Sequence, residues 1–193
     1  GSAKGSVSSL FFQNGNTFIK YSKPFLSDID SEDVDCISGD FNGDGLVDLI
    51  VSSGGSEYSN FSPELRDRLY INLDKNSFEK EEKAFNELKK FESTSTVSAY
   101  DIDQDGDLDL FLGTRLNTGS YGTQTENYIL TNDGNGVFKD VSEVYLGENK
   151  SMGMVTDSEF VDIDLDGIDE LIVVGEWICL LYTSDAADEA WGG

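Results

Sequence analysis

Three nine-residue acidic segments recur along the chain at a fixed period, and they limit its possible folds more than any other feature. They read Asp40-Phe41-Asn42-Gly43-Asp44-Gly45-Leu46-Val47-Asp48, Asp101-Ile102-Asp103-Gln104-Asp105-Gly106-Asp107-Leu108-Asp109 and Asp162-Ile163-Asp164-Leu165-Asp166-Gly167-Ile168-Asp169-Glu170. Their starts lie 101 − 40 = 61 and 162 − 101 = 61 residues apart. Self-similarity at such a period marks a repeat protein, in which each unit buries its apolar face against the next.

Oxygen-bearing side chains at alternate positions, a glycine at the sixth and an acid at the ninth let a chain wrap round one hard cation. The expected ligands are the side chains at positions one, three, five and nine and the backbone carbonyl at seven. In the first loop these are Asp40, Asn42, Asp44, the Leu46 carbonyl and Asp48; in the second, Asp101, Asp103, Asp105, the Asp107 carbonyl and Asp109. The third offers Asp162, Asp164, Asp166, the Ile168 carbonyl and Glu170. Calcium is favoured over magnesium because carboxylates and carbonyls outnumber the waters that magnesium tends to keep. About three Ca²⁺ sites follow, each tying the end of one strand to the start of the next, with Asn42 weakening the first.

Asp, Asn and Gly also make good turns without a metal. One such loop would fit that reading; three in register, each leading into the same apolar strand, do not. The EF-hand or dockerin loop shares the first half of the pattern but needs an acid at position twelve between helices. Position twelve is Val51, Leu112 and Val173, and β-branched residues flank the loops.

The formal net charge of −25, from 38 acids against 13 bases, is concentrated in these loops. The 38% hydrophobic and 11% aromatic content is that of a globular protein, not of a disordered acidic one. So acidic a surface repels phosphate backbones and anionic headgroups, so nucleic acid is not an expected partner. There is no histidine, which removes the usual general base and the imidazole ligands of zinc or copper. Cys36 reads as a small core residue. No apolar run is long enough for membrane insertion.

Around each loop the chain reads as short strands, four to a unit, which is the content of a propeller blade. Leu10 to Gln13 and Phe18 to Lys20 form a hairpin ending an earlier unit. Val34 to Gly39, Val47 to Val51, Arg68 to Asn72 and Phe78 to Lys80 make the next, and Val97 to Tyr100, Leu108 to Leu112, Tyr128 to Asn132 and Phe138 to Asp140 the one after. Asn72 matches Asn132, and Phe78 matches Phe138, at an offset of 60 (132 − 72 and 138 − 78). Ala84, Leu88 and Phe91 are spaced for a turn or two of surface helix. The expected fold is all-β: a partial β-propeller of about three four-stranded antiparallel blades with a calcium loop in each. The divisions are 1–33 (end of a blade and connector), 34–95 and 96–157 (blades with the first and second loops), and 158–178 (a truncated blade with the third).

Residues 179–193 stand apart. Cys179 to Glu189 resembles the translation of a transposase adapter used in sequencing libraries, so this tail is excluded from fold reasoning as non-native. Met152 and Met154 read as core filler, and Trp177 equally as a blade contact or a ligand platform. Residues 52–67 and 113–126, carrying Tyr58, Phe61, Arg66, Arg115 and Tyr121, occupy equivalent places and emerge on one rim as a candidate recognition surface.

The pattern Asp-x-Asp/Asn-x-Asp-Gly-x-x-Asp/Glu, followed by a short apolar strand and a glycine, resembles the FG-GAP repeat of integrin α-subunit propellers and bacterial VCBS-type proteins. Ser53-Gly54-Gly55, Arg68-Leu69-Tyr70, Asn132-Asp133-Gly134-Asn135-Gly136, Gly175-Glu176-Trp177 and the opening Gly1-Ser2-Ala3-Lys4-Gly5 are similar to the bacterial branch that often carries a C-terminal ASPIC/UnbV domain. The resemblance covers roughly residues 1–178. It implies a calcium-stabilised propeller of seven or eight blades, extracellular or at the bacterial cell surface or periplasm, whose signal peptide lies outside this stretch. It further implies a non-enzymatic role in adhesion or recognition, with a protein or carbohydrate ligand and the remaining blades of a parent propeller as partners. The alternative is the scaffold portion of an extracellular polysaccharide-active hydrolase or lyase. Three blades cannot close a ring, and open sheet edges self-associate. The isolated chain is therefore expected to aggregate, and a monodisperse monomer with one cooperative melt in sedimentation and calorimetry would count against the open-ring reading.

Overall fold

A computed structural model describes residues 2–183 except Asn60, Lys75, Asn76, Phe91, Tyr121 and Trp177. A hairpin of β1 (Leu10–Asn14) and β2 (Thr17–Tyr21) precedes three antiparallel meanders. The first sheet runs β3 (Glu32–Gly39), β4 (Asp48–Gly54), β5 (Arg68–Asp74), β6 (Ser77–Lys80) in chain order. The second runs β7 (Glu92–Tyr100), β8 (Asp109–Asn117), β9 (Tyr128–Asn132), β10 (Phe138–Asp140), and the third β11 (Met154–Val161), β12 (Glu170–Glu176), β13 (Ile178–Thr183). The chain is thus all-β in several antiparallel sheets, two of four strands and one of three. β13 occupies part of the tail set aside from the sequence, pairing Ile172 with Tyr182 and Val173 with Leu181; residues 184–193 lie outside the description.

Strand periodicity explains how the sheets stack. Successive side chains of a strand point to opposite faces, so the middle strands are apolar on both. Leu110, Leu112, Tyr128 and Leu130 pack with Phe41, Ile50 and Leu69 of the first sheet. The intervening Phe111 and Ile129 pack with Val155, Leu171 and Val173 of the third. The opposite face of the first sheet carries Val51 and Tyr70, covered by Phe25, Val7 and Leu10 of the N-terminal segment.

The first strands of the three sheets adjoin and share a defect. Each carries a register shift at the residue before the Asp35-equivalent position: between Asp33 and Asp35, Thr94 and Thr96, and Val155 and Asp157. Residues 34, 95 and 156 are therefore bulged at the repeat spacing of 61. A bulge bends its strand and re-aims the neighbouring side chain. Here it sends Asp35 across to accept the Val97 N–H (3.0 Å) and Ser95 to donate to the Val155 carbonyl (2.6 Å).

Four readings need correction or adjustment. Cys36 is exposed, not core, because its side of β3 faces away from the second sheet. β4 and β8 run on to Gly54 and Asn117, so the opposite-rim loops start later than residues 52 and 113. The segment after β6 forms successive three-residue-spaced turns in place of a helix, with Ala84, Phe85 and Leu88 inserted into the core. The third sheet begins at Met154, ahead of the division at residue 158. Phe91, Trp177 and Tyr121 lie outside the described residues.

Phe138 is 1% exposed, stacks on Phe85 at 5.2 Å and meets Phe41 edge-on at 6.2 Å. Phe138→Ala should cost about 3–5 kcal/mol in urea unfolding, since it empties the contact between two sheets; a loss below ~1 kcal/mol would mean this contact is not part of the core.

Candidate metal centres

Each acidic loop links the first strand of a sheet to the second and lies at the same end of its sheet. The first-position carboxylate closes the loop from inside. Asp40 accepts the N–H groups of Asp44 (3.2 Å) and Gly45 (2.8 Å), Asp101 those of Asp105 and Gly106 (both 3.0 Å), and Asp162 those of Asp166 (3.1 Å) and Gly167 (2.9 Å). That curvature needs a left-handed residue at position six, where glycines 45, 106 and 167 have φ of +83°, +100° and +92°. Position four is left-handed too, and only the first loop has glycine there; Gln104 (+59°) and Leu165 (+67°) adopt it against their preference. Nothing in the residue pattern pointed to that.

The ninth-position acid anchors the loop. Asp48, Asp109 and Glu170 are 0%, 0% and 3% exposed. Each carboxylate accepts the N–H of position two: Phe41 (3.1 Å), Ile102 (2.9 Å) and Ile163 (2.8 Å). In the first two sheets its other oxygen accepts the N–H of an asparagine at or near the end of the third strand, Asn72 or Asn132, at 2.8 Å in both.

The structure brings together positions one, three and nine. Oxygens of Asp101, Asp103 and Asp109 lie within 4.8 Å of one another, as do those of Asp162, Asp164 and Glu170. Position five, like positions one and three, also accepts local backbone N–H groups. Asp44, Asp105 and Asp166 accept the N–H of Leu46 (2.8 Å), Asp107 (3.0 Å) and Ile168 (2.8 Å), the residues expected to offer carbonyls. In the first loop Asn42 donates its amide to Asp44 (3.1 Å), partly neutralising the group beside it. Three carboxylates around one point, without a nitrogen or sulfur donor, form the oxygen set that suits a hard divalent cation. Such a cation would offset their mutual repulsion.

Burial, and to a lesser degree the neighbouring acids, raise the pKa values of the loop carboxylates. Burial holds Asp109 above the ordinary carboxylate range, with Asp103 adding to it and the Asn132 and Ile102 N–H groups opposing. Burial raises Asp48 in the same way, with Asp44 and Asp40 adding to it and the Asn72 and Phe41 N–H groups opposing. Asp103 is raised by burial and then by Asp105 and Asp101.

The opposite rim carries a second repeated device that sequence reading missed. Asp67 accepts the Ser53 N–H and Asn127 the Thr114 N–H, both at 2.8 Å, while the Ser53 and Thr114 hydroxyls donate to the carbonyls of Arg66 and Glu126, both at 2.7 Å. The matching offsets, 114 − 53 = 61 and 127 − 67 = 60, were the available signal. Asp67 also pairs with buried Lys90 (2.8 Å) and accepts from Thr94 (3.1 Å) of the second sheet. Next to it Arg68 pairs with Asp33, and Lys80 with Asp28 (2.8 Å), beside a cleft of about 270 Å³ that Arg66 and Phe85 also line. Burial pushes the Asp28 pKa up, but hydrogen bonds from Lys80, Ser27 and Tyr70 outweigh it and leave the pKa lowered.

Of the residues proposed for a recognition rim, Tyr58 is buried and donates to the Asp30 carbonyl, which makes it structural. Arg115 is exposed but paired with Glu176 of the third sheet. Arg66 is exposed, and Phe61, 74% exposed with φ of +73°, stands out from its loop.

Repeated antiparallel sheets, each with an acidic nonapeptide loop between its first and second strands, define a repeat architecture. The family model described as "FG-GAP-like repeat" matches residues 40–112, which span the first two loops, and the chain is an FG-GAP-type repeat protein over that stretch. No curated protein matches the chain.

Asp48, Asp103 and Asp109 resist ionising in the folded state, so without metal they oppose folding at neutral pH. That opposition is relieved as pH falls through their raised folded values toward the ordinary 3.8. Asp28 acts oppositely, its stabilisation being lost only below 3.8. In chelator, Tm should therefore climb as pH is lowered from neutrality toward 3.8, and calcium should abolish the climb. A Tm that falls steadily over this range in chelator would show that the loop acids are not the dominant titrating groups.

Proposed function

We propose that the chain is a calcium-binding segment of a β-propeller belonging to an exported or cell-surface protein, and that its work is recognition of a protein or carbohydrate, not catalysis. The observation that carries this reading is the convergence of Asp101, Asp103 and Asp109, and of Asp162, Asp164 and Glu170, in loops of one geometry at one repeat spacing. Calcium would be structural, since the carboxylates at positions one and nine already hold the backbone that joins one strand to the next. FG-GAP repeats are typical of extracellular proteins, and among the described residues no helix is long and apolar enough to cross a membrane. The bacterial ASPIC/UnbV-associated branch is the relative we favour within the family.

Recognition is assigned to the rim opposite the acidic loops. There the exposed Arg66 lines the 270 Å³ cleft, whose charged lining suits hydrogen-bonding partners, and Phe61 stands exposed on the same loop. The clustered carboxylates of the loops are occupied by the backbone and by one another, which leaves them poorly placed for acid–base work.

Calorimetric titration of the chelator-treated protein should show selective uptake of about three calcium equivalents over magnesium. Asp103→Ala and Asp164→Ala should each remove one. Calcium at a hundredfold excess over its Kd should add about 2.7 kcal/mol of stability for each filled site. If folded protein takes up no calcium, or takes up magnesium equally well, the calcium reading is wrong.

A further inference from the structure

We propose that Asn132 couples the first two acidic loops, so that filling the second raises the cation affinity of the first. This rests on the loops binding a cation, as proposed above, but it concerns a residue outside them.

Asn132 ends β9, is 6% exposed, and has every polar group of its side chain engaged. Its backbone N–H donates to Asp109 Oδ1 at 2.8 Å, in the ninth position of the second loop. Its Nδ2 donates to the Leu108 carbonyl of that loop at 3.2 Å and to the Phe41 carbonyl of the first loop at 2.9 Å. Its Oδ1 accepts the N–H groups of Gly134 (3.2 Å) and Gly136 (3.1 Å), which fixes the amide plane. Phe41 in turn donates its N–H to Asp48 Oδ2 at 3.1 Å. The two ninth-position carboxylates are thus joined in one chain of contacts: Asp48, Phe41, Asn132, Asp109.

This linkage is stiff. The Phe41 ring is 1% exposed and wedged against Phe138, so its backbone cannot shift without disturbing the contact between sheets. A second contact runs beside it: a Cβ on Gly134 would lie 2.5 Å from Asp107 of the second loop, so the turn after Asn132 packs closely on that loop. Ordering Asp109, Leu108 and Asp107 therefore orders Asn132 and, through it, Phe41. The first loop then has less freedom left to lose when its own cation binds, which is positive coupling without a change of shape. The dependence matters most for the first loop, because Asn42 leaves it one carboxylate short.

The protein contains its own control. Asn72 stands at the equivalent place in the first sheet, donating its N–H to Asp48 Oδ1 (2.8 Å) and its amide to the Val47 carbonyl (3.0 Å), both in its own loop. It should support one site, where Asn132 supports two.

The Gly45 and Gly106 amides, which donate to Asp40 and Asp101 at 2.8 and 3.0 Å, report the first and second loops separately in an NMR-monitored calcium titration. In the otherwise unaltered protein, Asp103→Ala, an exposed loop position, should weaken the second loop and with it lower the first loop's affinity by about 5–150-fold. In an Asn132→Ala background the first loop should bind weakly from the start, and Asp103→Ala should have no further effect on it. Asn72→Ala should weaken the first loop yet keep its dependence on the second. The proposal is overturned if Asp103→Ala leaves the Gly45 titration unmoved, a result that needs no Asn132 variant to fold. It is equally overturned if the dependence survives Asn132→Ala. If neither glycine amide responds to calcium, the calcium reading itself fails, which is a distinct outcome.

Discussion

The structure turns on one buried carboxylate per repeat. Asp48, Asp109 and Glu170 each end an acidic loop, begin the second strand of a sheet and bind the N–H two residues into the loop. A carboxylate removed from water is unfavourable unless charged or polar partners surround it. Backbone N–H groups answer part of that demand, and the neighbouring acids increase the rest. The loop is a wound segment closed by hydrogen bonds but loaded with like charge, and a cation would resolve the conflict. Its curvature, the strain at Gln104 and Leu165, and the raised pKa values of Asp48, Asp103 and Asp109 all follow from gathering these groups at the mouth of a sheet.

Between the sheets, the stacking is apolar at the centre and polar at both rims. Leu110, Leu112, Leu130 and Phe138 supply the first interface, and Phe111 and Ile129 the second. Apolar contact is non-directional and would tolerate sliding, whereas the rim contacts are directional. Asn132 reaches the Phe41 carbonyl at one rim, Thr94 and Lys90 reach Asp67 at the other, and Asp35 reaches the Val97 N–H from beside the bulge in β3. These buried polar bonds set the angle at which one sheet meets the next. The acidic loops thereby become parts of one edge and can influence one another.

Function divides along the same lines. One rim is charged, repetitive and tied to the backbone, as a structural metal centre requires. The other carries the repeated Ser53–Asp67 and Thr114–Asn127 contacts, holds the Arg68–Asp33 and Lys80–Asp28 pairs and presents Phe61 and Arg66 to solvent. Loops free to vary on a scaffold held elsewhere are the usual location of recognition.

Much of this could be read from residues in order. The spacing of 61, the apolar runs behind each loop and the match of Asn72 with Asn132 were enough for repeated antiparallel sheets and for the loop positions, because local turn chemistry and period-two patterning depend on near neighbours. What required the tertiary structure were properties set by distant partners. Cys36 lies in an alternating segment that looks like core, yet its face of β3 points away from the second sheet. Tyr58 reads as an exposed aromatic, but it is buried because Asp30, far from it in sequence, takes its hydroxyl. The reach of Asn132 to Phe41, 91 residues away, follows from the stacking of whole sheets. Sequence by itself determined the repeating unit and the chemistry of its loops, whose geometry is local; the tertiary structure decided which of those groups converge and how one repeat constrains the next, since that depends on how the sheets pack.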